Sequence, residues 1–139
     1  MHDSRAVTIL LVEDDEVDIM ALRRAFEKLR IVNPVHLASD GVEAWEMLPS
    51  LPRPFLVITD INMPRMSGLE LLKKIRESKD FHDSVVFVLT TSNDDEDKFN
   101  AYNLNATGYI LKSDVRSSFT RAIELVENYW KVVELPVGA

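Results

Sequence analysis

Four acids in a row, Glu13, Asp14, Asp15 and Glu16, stand directly after the apolar run Val7–Val12 (VTILLV). Asp60 follows a second such run, Phe55–Thr59 (FLVIT), Thr90 follows a third, Val85–Leu89 (VVFVL), and Lys112 follows a fourth, Gly108–Leu111 (GYIL). If these ends converge, carboxylates, a hydroxyl and an ammonium share one crevice. Clustered carboxylates repel one another and stay ionised together only where a hard cation lies among them. Magnesium suits such a place, since it prefers oxygen ligands, keeps several waters and completes its shell with a phosphate oxygen. Lys112 and Thr90 then read as donors to an incoming phosphoryl group, with Asp60 as the nucleophile that attacks it in line. Each residue also has a plainer use. Asp15 or Glu16 can serve a helix entry, Asp60 an ordinary turn, Thr90 and Thr91 a strand end, and Lys112 the solvated surface. Only their joint occurrence at strand ends favours the chemical use.

The elements that would bring them together are legible. A fifth apolar run, Pro34–Ala38 (PVHLA), completes a series recurring along the chain, mostly continuous and rich in Val and Ile, as parallel strands buried on both faces require. Between the runs lie segments with helical spacing, such as Leu69, Leu72, Ile75 and Arg76 after Gly68, or Phe99, Tyr102 and Leu104 after the acids Asp94–Asp97. The alternation predicts a doubly wound α/β fold with right-handed crossovers, whose reactive crevice lies beyond the carboxyl ends of the strands. The stretch Pro49–Pro54 (PSLPRP) is expected as a short loop into the third strand.

Composition narrows the functions. The 139 residues predict a single domain over 1–139, with a core of about 7–131 and a C-terminal tail 132–139. A formal net charge of -7 disfavours nucleic acid and anionic membrane surfaces as partners. No cysteine is present, which removes disulfides, thiolate catalysis and cysteine zinc sites. No apolar run approaches the roughly 18 residues of a membrane span, and the start MHDSR lacks a signal-peptide core, so a cytoplasmic location is expected. His2, His36 and His82 are scattered without ligand spacing. A flavin carrier would need a Ser/Thr/Gly loop where the four acids stand, and Gly41, Gly68, Gly108 and Gly138 form no phosphate-cradling loop. A phosphatase with an aspartyl nucleophile would need a second acid where Asn62 stands.

The motifs LLVEDDE (Leu10–Glu16), VITDINMPRMSGLELL (Val57–Leu72), VLTTS (Val88–Ser92) and GYILK (Gly108–Lys112) resemble the receiver domain of two-component response regulators, over about Thr8 to Tyr129. The resemblance implies a flavodoxin-like, five-stranded parallel sheet of order 2-1-3-4-5 with helices on both faces. It makes Glu13 and Asp14 the acidic pair, Asp60 the phosphoacceptor, Lys112 its salt-bridge partner, and Asn62 the donor of a backbone carbonyl to Mg2+. Thr90 and Tyr109 become the switch, and the donor a sensor histidine kinase, with a downstream protein as target. It also implies no enzyme beyond the chain's own phosphoryl transfer and dephosphorylation. A receiver that binds partners without phosphorylation is the rival, and the intact site argues against it. Ser113 departs from the proline usual after the lysine; a cis bond there would cost roughly 2.5–4 kcal/mol, so the cis turn is not expected. The lysine-serine pair and the tail ENYWKVVELP (Glu127–Pro136) resemble the small regulators that partner bacterial phytochromes. Two apolar stripes share the last helical segment, Phe119, Ile123, Val126, Trp130 and Val133 beside Ala122, Leu125, Tyr129 and Val132. One stripe is left for a partner, which predicts a homodimer through Tyr129, Trp130, Val133 and Leu135.

Overall fold

The computed structural model describes residues 7–90 and 95–111. Five strands, β1 (Thr8–Val12), β2 (Val35–Ala38), β3 (Phe55–Asp60), β4 (Val85–Thr90) and β5 (Gly108–Leu111), form one parallel sheet in the order β2-β1-β3-β4-β5. Each expected run lies within a residue of its strand, because a strand covered on both faces needs an unbroken apolar stretch. Every residue of β1 and of β3 is buried. The edge strand β2 is only partly so.

Alternate side chains of β1 go to opposite faces. Ile9 and Leu11 meet Leu22, Ala25 and Phe26 of α1 (Glu16–Lys28). Leu10 and Val12 join the layer that takes Ala44 of α2 (Gly41–Met47), Leu71, Leu72 and Ile75 of α3 (Gly68–Arg76), and Ala101 of α4 (Asp95–Asn103). Helices therefore cover both faces. Each fully buried Leu or Ile in these layers contributes on the order of 1.5–3 kcal/mol.

The helix ends follow from local chemistry. Asp15 caps α1, its Oδ1 accepting from the amides of Val17 at 2.8 Å and Asp18 at 3.3 Å. Ser67 and Glu70 close a reciprocal capping box on α3. The stretch expected as a plain loop begins with a 3₁₀ turn, Leu48–Ser50, because Pro49 suits a first turn and Leu48 is anchored in the core. The spacing predicted for α3 holds for Leu72 and Ile75, whereas Arg76 sends its guanidinium to three carbonyls, Asn105 at 2.9 Å, His82 at 2.9 Å and Ser84 at 2.7 Å. Partial burial lowers the pKa of that guanidinium, and the carbonyls replace the water it has lost. Among the described residues no helix is long and apolar enough to cross a membrane.

Candidate functional site

Registration of the strands gathers their carboxyl ends at one edge. Val12 pairs with Ala38 and Thr59, Asp60 with Leu89, and Thr90 with Leu111. One residue further, the Glu13 amide still donates to the Ala38 carbonyl at 3.0 Å. Glu13 therefore leaves β1 with its side chain buried, 1% exposed, while Asp14 is exposed. Asp60, the last residue of β3, is 9% exposed. One carboxylate oxygen from each of Glu13, Asp14 and Asp60 lies within 4.8 Å of the other two. At an effective dielectric constant of about 20, two full charges at that separation repel by roughly 3.5 kcal/mol. Such a set of hard oxygen donors fits a hard divalent cation.

The run of four acids divides its labour. A Glu13 oxygen accepts from the Asp15 amide at 3.1 Å, and Asp15 spends its own carboxylate on the α1 cap. Glu16 opens the helix, where a negative charge is favoured.

The loop after β3 is equally constrained. The Ile61 amide donates to Asp60 Oδ1 at 2.9 Å, and the Thr59 hydroxyl to the Asp60 carbonyl at 3.0 Å. Gly68 returns the chain onto β3, its amide donating to the Ile61 carbonyl at 2.8 Å. A Cβ on Gly68 would lie 1.9 Å from the Asp60 carbonyl oxygen, so only glycine permits this approach. Asn62 sits exposed within the loop.

Thr90 is the last residue of β4, and Tyr109 lies half-buried in β5, its ring 6.4 Å from that of Tyr102. Tyr109 also packs against the layer beneath α2, α3 and α4. Lys112, Ser113 and the expected dimer residues Tyr129, Trp130, Val133 and Leu135 lie outside the described residues.

Residues 9–124 match the response regulator receiver domain family. The chain belongs to that family. This receiver is 34% identical over 129 residues to the probable methanogenesis regulatory protein FilR2 of Methanothrix harundinacea, covering 88% of this chain and 82% of that one. It is 30% identical over 137 residues to the response regulator Rcp1 of Synechocystis, covering 94% and 93%. Among solved structures it resembles the phosphorylated cyanobacterial phytochrome response regulator RcpA, with a TM-score of 0.84, 31% identity and coverage of 94% and 98%. The Mn2+-bound form of Rcp1 is similar too, with a TM-score of 0.83, 30% identity and coverage of 94% and 99%.

Two residues of this receiver meet in a pair that the motifs did not indicate. Asp40, 4% exposed, caps α2 by accepting from the Glu43 amide at 2.9 Å, and its oxygens also take Arg65 Nε at 2.7 Å and Nη2 at 3.2 Å. The Arg65 hydrogen bond, followed by the Glu43 amide, holds the Asp40 carboxyl below its ordinary range. The spacing of Asp40 and Glu43 at a helix start was a visible signal for the cap. Nothing local in the sequence signalled Arg65 as the partner.

Proposed function

We propose that this receiver accepts a phosphoryl group on a carboxylate oxygen of Asp60, with magnesium bound, and signals by binding another protein. The convergence of Glu13, Asp14 and Asp60 within 4.8 Å carries this reading. Asp14 and Asp60, with the Asn62 backbone carbonyl, would hold Mg2+, and Glu13 would complete the acidic pair. The cation supplies charge neutralisation for the incoming phosphoryl oxygens. Asp60 attacks phosphorus in line; the bond from phosphorus to a kinase histidine nitrogen breaks as the Asp60 O–P bond forms, and the electron pair leaves with that nitrogen. The Ile61 amide, bonded to Asp60 Oδ1, orients the carboxylate for attack. Lys112 and Thr90 are assigned to the phosphoryl oxygens. Water later cleaves the same bond, so the chain acts as an acceptor and turns over no separate substrate.

The likeness to RcpA, a phytochrome response regulator, favours a phytochrome-type sensor histidine kinase as donor, and we assign both to the cytoplasm. Because the sequence carries two apolar stripes at helical spacing over residues 119–133, we assign a homodimer to Tyr129, Trp130, Val133 and Leu135. Sedimentation that finds only monomer, with and without a phosphoryl mimic, refutes the dimer. The phosphoacceptor is tested by labelling from a small phosphodonor. Asp60→Asn should take up none and Asp15→Asn should label normally; acid-stable label, or label retained in Asp60→Asn, overturns the aspartyl reading.

A further inference from the structure

We infer that the Asp40–Arg65 pair is a positioning device for the metal site, clamping the loop that carries Asn62 to the start of α2. The inference rests on the magnesium reading above. The loop Ile61–Gly68 is closed at its neck by the Gly68 amide on the Ile61 carbonyl at 2.8 Å. Its far side is tied twice to α2. Arg65 forks onto Asp40 at 2.7 and 3.2 Å, and the Gly41 amide donates to the Met66 carbonyl at 3.1 Å. Met66 lies so close to Gly41 that a Cβ there would meet it at 2.7–2.9 Å. Asn62 is thus strung between two fixed points.

Three observations assign the clamp to the loop rather than to the core. The Arg65 side chain is 60% exposed, so packing does not hold it in place. Arg65 also adopts a left-handed φ of 63°, a conformation that a non-glycine residue keeps only when its surroundings over-determine it. Asp40 is nearly buried and already engaged as the α2 cap, so the anchor is stationary whether or not Arg65 is present. A planar fork on a fixed carboxylate restrains orientation as well as distance, which a lysine in the same place could not do. A loop ordered before the cation arrives avoids the entropy loss of ordering on binding.

Two substitutions isolate the clamp without dismantling the fold. Arg65→Gly removes the fork and accepts the left-handed backbone, and Asp40→Asn keeps the α2 cap while losing the charge. For each full-length variant, Mg2+ affinity is measured by titration calorimetry, and melting temperature and amide exchange are measured without metal. Expected are an affinity about tenfold weaker, at the low end for partners that orient metal ligands, faster exchange at Asn62–Met66, and, for Arg65→Gly, little change in melting temperature, since glycine relieves the left-handed backbone as the exposed arginine is lost. Asp14→Ala is the control, and should lose Mg2+ binding while loop exchange stays slow. Arg65→Gly that binds Mg2+ within twofold of wild type overturns the clamp alone. Wild type that binds no Mg2+ overturns the site reading itself, and the clamp with it.

Discussion

Gly68→Ala asks whether the approach of α3 to β3 sets the position of Asp60. The added Cβ would stand 1.9 Å from the Asp60 carbonyl oxygen, 2.8 Å from its carbon and 3.1 Å from Ile61 Cα. All three are backbone atoms, so no change of rotamer relieves them. Ordinary contact needs about 1.5 Å more, and that gap opens only if α3 lifts or the end of β3 moves. Lifting α3 disturbs Leu71, Leu72 and Ile75, all fully buried, and breaks the bond from the Gly68 amide to the Ile61 carbonyl. The lost bond costs about 1 kcal/mol and the overpacking about 1–3 kcal/mol, while alanine's better helix propensity returns a few tenths. A net loss of about 3 kcal/mol corresponds to a melting temperature lower by about 10 °C in a chain of this size. If the Asp60 carboxylate, the proposed nucleophile, moves by about 1 Å, labelling from acetyl phosphate should slow by up to about a hundredfold. Thermal melts and time courses of labelling at saturating Mg2+ read both quantities. A variant that melts within about 3 °C of wild type and labels at its rate would refute the steric reasoning. One that melts early yet labels normally would show that the strain never reaches Asp60.

The Asp40 carboxyl, held below its ordinary range by Arg65, contributes stability above the carboxylate range and loses it as pH falls through its lowered pKa. Asp40→Asn should therefore melt earlier than wild type at pH 7 and converge with it in acid; a gap independent of pH would contradict the ion pair. Arg76→Met keeps the stem but removes donors to three carbonyls, some of which water can reach, so urea denaturation should show a loss of about 2 kcal/mol, and a loss under about 0.5 kcal/mol would be too small for that role. Structures with and without beryllofluoride should show the Thr90 hydroxyl drawn inward and the Tyr109 ring turned towards the core. Both unmoved would end the switch assignment.

The strands were legible because burial on two faces leaves a run of Val, Ile and Leu that little else produces, and β3 and β4 differ from their runs only by including Asp60 and Thr90. The acids were legible because parallel strands send every carboxyl end to one edge. Less could be read where the deciding partner is distant. Asp40 and Arg65 are 25 positions apart, and no periodicity joins a helix cap to a loop arginine. Arg76 fell on the apolar stripe of α3 by spacing, yet it is used for its guanidinium, which counts of apolar positions cannot register. Gly68 marked the start of a helical segment in the sequence, while the contact that requires glycine, the Asp60 carbonyl, appears only when β3 and α3 are placed together.

The passage from β1 to α1 has a fixed length as well as a fixed composition. The Glu13 amide belongs to the sheet through Ala38, and the Asp15 side chain belongs to the helix through Val17 and Asp18, which leaves only Asp14 between the two anchors. A residue inserted here would have to bulge from a connection that carries two of the three clustered acids, displacing one of them. Absorbed into the helix instead, it would rotate Leu22, Ala25 and Phe26 away from the sheet by about 100°. A deletion would force one acid to act both as helix cap and as a member of the cluster. Side chains along this stretch can be exchanged, each at its own cost, but the count of residues between strand and helix cannot change without breaking either the core or the acidic cluster.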